Sequence, residues 1–132
     1  MNDAKQKTVF LVDDDQDFVL QTTFRLEQAG YKVESAGSQA EAENKLESVK
    51  PDVAVVDLML ENQDSGFVLS YHMKKTFPKM PVILVTGVAA ETGLEFDSTT
   101  GEERSWIKAD RVIAKPIRFE QLESEIARLV TG

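Results

Sequence analysis

The chain has 132 residues, 42% of them hydrophobic, which suits one domain with a buried core, residues 1–132, and leaves no room for a second. The 23 acidic residues outnumber the 15 basic residues, and the formal net charge of -8 disfavours direct binding to nucleic acid or to an anionic membrane. The sequence contains no cysteine, which excludes disulfides and thiolate chemistry. It has no apolar stretch that could form a signal peptide or a membrane span, so we expect a cytoplasmic protein.

Four short apolar runs predict the strands of a sheet. They are residues 9–12, 53–56, 82–85 and 112–114, and each is continuous, as is typical of strands that are covered on both faces of a parallel sheet. Residues 31–34 alternate between apolar and polar side chains instead, which predicts a half-exposed edge strand. The sequence therefore predicts five strands.

Between these runs, apolar residues recur at the spacing of amphipathic helices. The clearest sets are Ala42, Leu46 and Val49; Leu69, Met73 and Phe77; and Leu122, Ile126 and Leu129. Gly30 is placed to end the first helix, and Ser38 with Glu41 forms a capping-box pattern at the start of the second. Alternating strands and helices with right-handed crossovers predict an α/β fold, a doubly wound parallel sheet with helices on both faces.

The segment 87–101 interrupts this alternation. It carries three glycines among acidic and hydroxyl side chains, which predicts an extended loop, and 102–108 then predicts a short helix held down by Trp106 and Ile107. Both a functional role and a plain insertion are consistent with the loop.

Polar side chains stand at the ends of four predicted strands, where parallel sheets gather their ligands. They are Asp13, Asp14 and Asp15 after the first strand, Asp57 after the third, Thr86 after the fourth, and Lys115 with Pro116 after the fifth. Each of these residues alone is also typical of a loop or a helix cap. Carboxylates that converge repel one another unless a cation offsets them, and their oxygens suit Mg²⁺. Asp57 could then act as a nucleophile toward phosphorus, with Thr86 and Lys115 helping to neutralise the transferred group.

The sequence resembles the receiver domain of two-component response regulators over essentially its whole length, in residues 10–14, 55–58, 82–86 and 114–116. The resemblance implies a flavodoxin-like strand order of 2-1-3-4-5. It also implies that Asp57 is the phosphoacceptor, and that Asp14 binds Mg²⁺ directly, Asp13 through water and Met59 through its backbone carbonyl. Thr86 and Lys115 would contact the phosphoryl group, and the peptide bond before Pro116 is expected to be cis.

The same resemblance implies partners. A sensor histidine kinase or phosphotransfer protein would supply the phosphoryl group, and an unidentified protein would read the switched surface; dimerisation through the last helix, strand and helix stays open. We expect no enzymatic action on an external substrate, only the phosphorylation and dephosphorylation of the chain itself.

Three features depart from the family pattern. Glu61 stands where a proline is usual, and Gly66 comes one residue late after Asp57. The separation of Thr86 from Lys115, 29 positions, is roughly seven longer than expected where connections are usually short. Val112 occupies the switch position, where an aromatic residue is common, which leaves open a module that binds partners without phosphorylation.

Two other interpretations are weaker. Asp13 and Asp15 imitate the paired aspartates of haloacid-dehalogenase-like phosphatases, but the following residues, Gln16 and Asp17, do not fit that motif. His72 is the only histidine, and its place in a predicted helix favours a solvated surface position over a catalytic role.

Overall fold

A computed structural model of the chain describes residues 6–57, 65–86, 111–114 and 117–131. The strands are β1 (Thr8–Val12), β2 (Lys32–Ala36), β3 (Val53–Asp57), β4 (Val82–Thr86) and β5 (Arg111–Ala114). The helices are α1 (Gln16–Gln28), α2 (Gln39–Val49), α3 (Ser65–Thr76) and α4 (Phe119–Thr131). The predicted loop 87–101, the predicted helix 102–108 and Trp106 lie outside the described residues.

All the strand pairings of the sheet are parallel, and the strand order is β2-β1-β3-β4-β5. The order predicted from the resemblance is therefore confirmed. Because β1, β3 and β4 lie side by side and run in one direction, their carboxyl ends meet at a single edge. The register places Val12 beside Val56, and Asp57 beside Val85, so the residues that follow these strands start at nearly the same level.

Two hydrophobic clusters cover the two faces of the sheet. Phe10 and Val12 belong to the cluster that packs under α2 and α3, whereas Val9 and Leu11 belong to the cluster under α1 and α4. Successive side chains of a strand point to opposite faces, so a strand between two layers of helices needs apolar residues at every position. This explains the continuous apolar runs, and the mixed exposure of β2 fits its place at the sheet edge.

Helix ends are fixed by the residues that the sequence pattern indicated. The Asp15 carboxylate caps α1 by accepting the Phe18 N–H at 3.1 Å, and the Ser38 hydroxyl accepts the Glu41 N–H at 3.1 Å. The Glu41 carboxylate in turn accepts the N–H of Gly37, one residue before the cap. Gly30 has a φ of 103°, a left-handed conformation that glycine adopts without strain, and it follows α1 as predicted. Within the part of the chain that is described, no helix is long and apolar enough to cross a membrane.

Candidate functional site

Asp13 lies just beyond β1 and is held by its backbone and its side chain. Its N–H donates to the carbonyl of Ala36 at 3.1 Å, which ties it to the end of the edge strand β2. Its carboxylate Oδ1 accepts the Asp15 N–H at 2.9 Å, a local turn that directs the chain into α1. The residue is only 2% exposed, so its carboxylate is fixed in a largely desolvated position.

Asp57 is the last residue of β3 and is 6% exposed. The four preceding residues of the strand are buried apolar side chains, so the strand itself carries this carboxylate into the protein interior. Burial of a carboxylate is unfavourable unless partners or a cation compensate for the lost water. A polar residue at this position therefore indicates a function rather than packing.

Asp13, Asp14 and Asp57, which we call the aspartate cluster, bring three carboxylate oxygens within 4.8 Å of one another. Two of the residues are buried, and Asp14 is exposed. At this separation like charges repel strongly in a partly desolvated site, and a divalent cation would offset the repulsion. The mutual approach of Asp13 and Asp14 with Asp57, predicted from the strand ends, is thus present in the structure.

The chemistry of this donor set fits Mg²⁺. The ion binds oxygen ligands at about 2.0–2.1 Å and usually keeps several waters beside one or two carboxylates. Oxygens that share its octahedral shell are then roughly 3–4 Å apart, so a cluster within 4.8 Å needs only a small adjustment or a bridging water. The exposed side of the cluster, at Asp14, leaves room for water or substrate oxygens.

Thr86 ends β4 and is fully buried. It pairs in register with Ala114 of β5, and the preceding Val85 pairs with Asp57, so Thr86 lies at the same edge of the sheet as the aspartate cluster. Lys115, Pro116 and Met59 lie outside the described residues, so their predicted roles and the cis peptide bond stay predictions.

Val112, at the predicted switch position, is partly buried and packs against the hydrophobic cluster that contains Phe10. It pairs in register with Leu84 of β4. In this structure the residue therefore contributes to the core.

His72 lies on the surface of α3, as expected, and its partner lies on another helix, which no sequence pattern indicates. Its Nδ1 is 2.7 Å from Oε2 of Glu43 on α2, and the Gln39 amide donates to the same oxygen at 3.1 Å. The Gln39 hydrogen bond and, after it, the contact with His72 lower the pKa of Glu43. On the same helix, the Gly37 N–H and then Lys45 lower the pKa of Glu41.

Comparison with known proteins shows what the whole chain is similar to. A family model described as the response regulator receiver domain matches residues 9–127. The alkaline phosphatase synthesis transcriptional regulatory protein PhoP of Bacillus subtilis is 28% identical over 124 residues, which cover 94% of this chain and 48% of PhoP. The probable transcriptional regulator ycf27 of Guillardia theta is 32% identical over 94% of this chain and 45% of the relative.

Solved structures show the same likeness in three dimensions. The crystal structure of a CheY-like response regulator receiver domain protein from Methanospirillum hungatei JF-1 superposes with a TM-score of 0.79. It is 28% identical in sequence, and the match covers 96% of this chain and 95% of that one. The chain spans about half the length of the curated relatives named above, so the activities of those whole proteins do not transfer to it directly.

Proposed function

Because the chain belongs to the response regulator receiver domain family of two-component systems, we propose that it accepts a phosphoryl group on Asp57 in a Mg²⁺-dependent reaction. The aspartate cluster carries this proposal, since it brings together a buried candidate nucleophile and two further carboxylates that could hold the ion. The transfer would switch a protein-binding surface in the cytoplasm.

The proposed reaction needs little covalent machinery. A carboxylate oxygen of Asp57 attacks the phosphorus of a phosphodonor, an acyl phosphate bond forms, and the bond to the leaving group breaks. A phosphohistidine donor leaves as an imidazole that has taken up a proton, and acetyl phosphate leaves as acetate. Asp13, Asp14 and Asp57 would hold Mg²⁺, which when bound neutralises charge on the phosphoryl oxygens. Thr86 and Lys115 would contact the transferred group, as the resemblance implies. The chain would act on no other substrate.

The proposed phosphoryl transfer requires two classes of partner protein. A sensor histidine kinase or a phosphotransfer protein supplies the phosphoryl group, and a downstream protein reads the result. Phosphorylation would bias an equilibrium between two conformations of the surface near Thr86 and β5.

Intact-mass spectrometry after incubation with acetyl phosphate and Mg²⁺ tests the chemistry. The wild type should gain the mass of one phosphoryl group, and Asp57→Asn or chelation of the metal should abolish the gain. Asp52→Asn is a matched control, because it removes an exposed carboxylate just before β3, at the opposite end of that strand. Absence of the gain in the wild type, with a histidine kinase as well as with acetyl phosphate, would refute the proposal.

A second candidate function is favoured by Val112. Its packing into the core at the switch position is consistent with a module that binds its partner without phosphorylation. Such a partner would bind wild type and Asp57→Ala with equal affinity, whereas an affinity that rises with phosphorylation would exclude this alternative.

A further inference from the structure

A groove lies between the first half of α1 and the connection from β2 to α2, with a cavity volume of about 560 Å³. We call it the edge groove because it adjoins the carboxyl end of β2, the edge strand of the sheet. Asp13 forms part of its lining, together with Asp17 and Leu20 from α1 and Glu41 and Lys45 from α2. Asp13 is thus shared between the edge groove and the aspartate cluster.

The edge groove carries an excess of negative charge. Its described lining contains three carboxylates and one ammonium group, that of Lys45. This Nζ already donates to the Ser35 carbonyl at 2.7 Å and lies 3.3 Å from Oε2 of Glu41. Among the described residues Asp17 takes part in no ion pair. Concave surfaces lined by one sign of charge concentrate ions of the opposite sign, so the groove favours a cationic group.

An apolar surface adjoins this charge. Leu20 lines the edge groove one turn after Asp17, on the same side of α1, and is 71% exposed. A carboxylate beside an exposed aliphatic side chain complements an arginine or lysine that has an apolar neighbour. The aliphatic stem of the basic side chain can also cover part of this apolar surface.

We propose that the edge groove docks a basic segment of the downstream protein that reads the phosphorylated state. An arginine or lysine of that segment enters beside Asp17 and Asp13, and an adjacent apolar side chain packs on Leu20. The regulated part rests on the proposed function: phosphorylation replaces the Asp57 carboxylate, charge -1, by an acyl phosphate of about -1.5 to -2, a net addition of about -0.5 to -1 beside the wall formed by Asp13. The added charge strengthens the attraction of the groove for a cation, whereas it would weaken the binding of an acidic segment.

Amide NMR titration with a blocked peptide of alternating leucine and arginine tests the groove on the unphosphorylated protein. Signals of Thr23, Ser35 and Gly37, which line the groove, should shift, and a peptide of alternating leucine and glutamate should leave them unchanged. Asp17→Asn should weaken binding by about two- to fivefold, the range for one surface charge. Leu20→Ser should weaken it as well.

Glu27→Gln supplies the matched control, because it removes the same charge from an exposed position on α1 that does not line the groove. It should change the affinity by less than Asp17→Asn does. Equal effects of the two variants, or peptide-induced shifts that centre elsewhere, would show only diffuse attraction to an acidic protein and would overturn the proposal.

The same titration in Mg²⁺, before and after treatment with acetyl phosphate, tests the regulation, because the metal is then present in both states and only the phosphoryl group differs. At low ionic strength the affinity should rise by about 1.5- to twofold, as expected for up to one added charge at a distance of roughly 10 Å in water. Mass spectrometry of the same sample separates the two claims. Phosphorylated protein with unchanged affinity would overturn the regulated docking and leave the proposed function standing, whereas protein that gains no phosphoryl group would overturn the proposed function and, with it, the regulated docking.

Discussion

Two groups of carboxylates in this protein have opposite surroundings. On α2, Glu41 accepts the Gly37 N–H and lies beside Lys45, and Glu43 accepts the Gln39 amide and lies beside His72. In both cases donors from the protein itself stabilise the anion and lower the pKa. In the aspartate cluster, by contrast, carboxylates are brought against one another, and two of the three residues are buried.

The two groups of carboxylates serve different purposes. The carboxylates of α2 fix the start of a helix and its contact with α3, so they serve the fold. The aspartate cluster concentrates like charge at one end of the sheet, which is the arrangement expected of a site for a cation and a phosphoryl group. Removing a charge from the aspartate cluster should therefore raise the free energy of unfolding of the metal-free protein, whereas removing a contact at the start of α2 should lower it.

The largest effect should come from the metal. Mg²⁺ at a hundred times its dissociation constant should raise the free energy of unfolding by about 2.7 kcal/mol if it binds only the folded state. Urea unfolding with Mg²⁺ or with EDTA at matched ionic strength measures this, and Asp57→Asn should remove most of the gain. Glu43→Gln should leave it intact; a loss as large as that in Asp57→Asn would erase the distinction between the two groups.

Asp57→Asn should stabilise the metal-free protein. The substitution removes one buried charge from the repulsive cluster and keeps the size of the side chain, so we expect the free energy of unfolding in EDTA to rise by about 1–2 kcal/mol. Urea unfolding of both proteins in EDTA measures it. A decrease of similar size would mean that the Asp57 carboxylate stabilises the fold.

Ser38→Ala should act in the opposite direction. The Ser38 hydroxyl accepts the Glu41 N–H at the start of α2, and loss of a helix cap of this kind costs about 1 kcal/mol. Ser48→Ala is the control, because Ser48 is exposed and its hydroxyl donates to the Lys45 carbonyl within the same helix. Chemical denaturation should show a change within about 0.5 kcal/mol for the control; equal losses would contradict the capping role.

The smallest effect belongs to Glu43 and His72. Both side chains are substantially exposed, so a double-mutant cycle with Glu43→Gln and His72→Gln should give a coupling of about 0.2–1 kcal/mol at pH 6. Because the pKa of Glu43 is lower in the folded state, its contribution is present above the unfolded pKa of about 4.3 and is lost as the pH falls further. The free energies of unfolding of wild type and Glu43→Gln, measured from pH 7 down to pH 3, should become equal toward acid. A difference between the two proteins that grows toward acid would contradict this prediction.

The sequence predicts the fold well where burial forces a pattern on it. Strands β1, β3 and β4 lie between two layers of helices, so their apolar runs are continuous, and Asp57 stands out as a polar end to such a run. The edge strand is placed less well. The alternating pattern predicts this strand at residues 31–34, whereas the structure has it at Lys32–Ala36. Parallel pairing with β1 depends on backbone groups and continues past the alternating side chains.

Contacts between distant helices could not be predicted. Glu43 and His72 are 29 positions apart, and only the packing of α2 on α3 brings them together. The edge groove likewise depends on how α1, the end of β2 and α2 pack together, so its lining cannot be read from the positions of Asp17 and Leu20 in the sequence. For Asp13, Asp14 and Asp57 the case is different, since parallel strands end at one edge and strand order alone puts their residues together.

A crystal structure of the protein grown with Mn²⁺, which accepts the same oxygen ligands as Mg²⁺ and scatters anomalously, would show whether the aspartate cluster holds a divalent cation. We predict an anomalous peak among the carboxylates of Asp13, Asp14 and Asp57 in the wild type, weakened or lost in Asp57→Asn. Side chains turned away from one another, with no peak between them at saturating Mn²⁺, would mean that these carboxylates do not form a cation site.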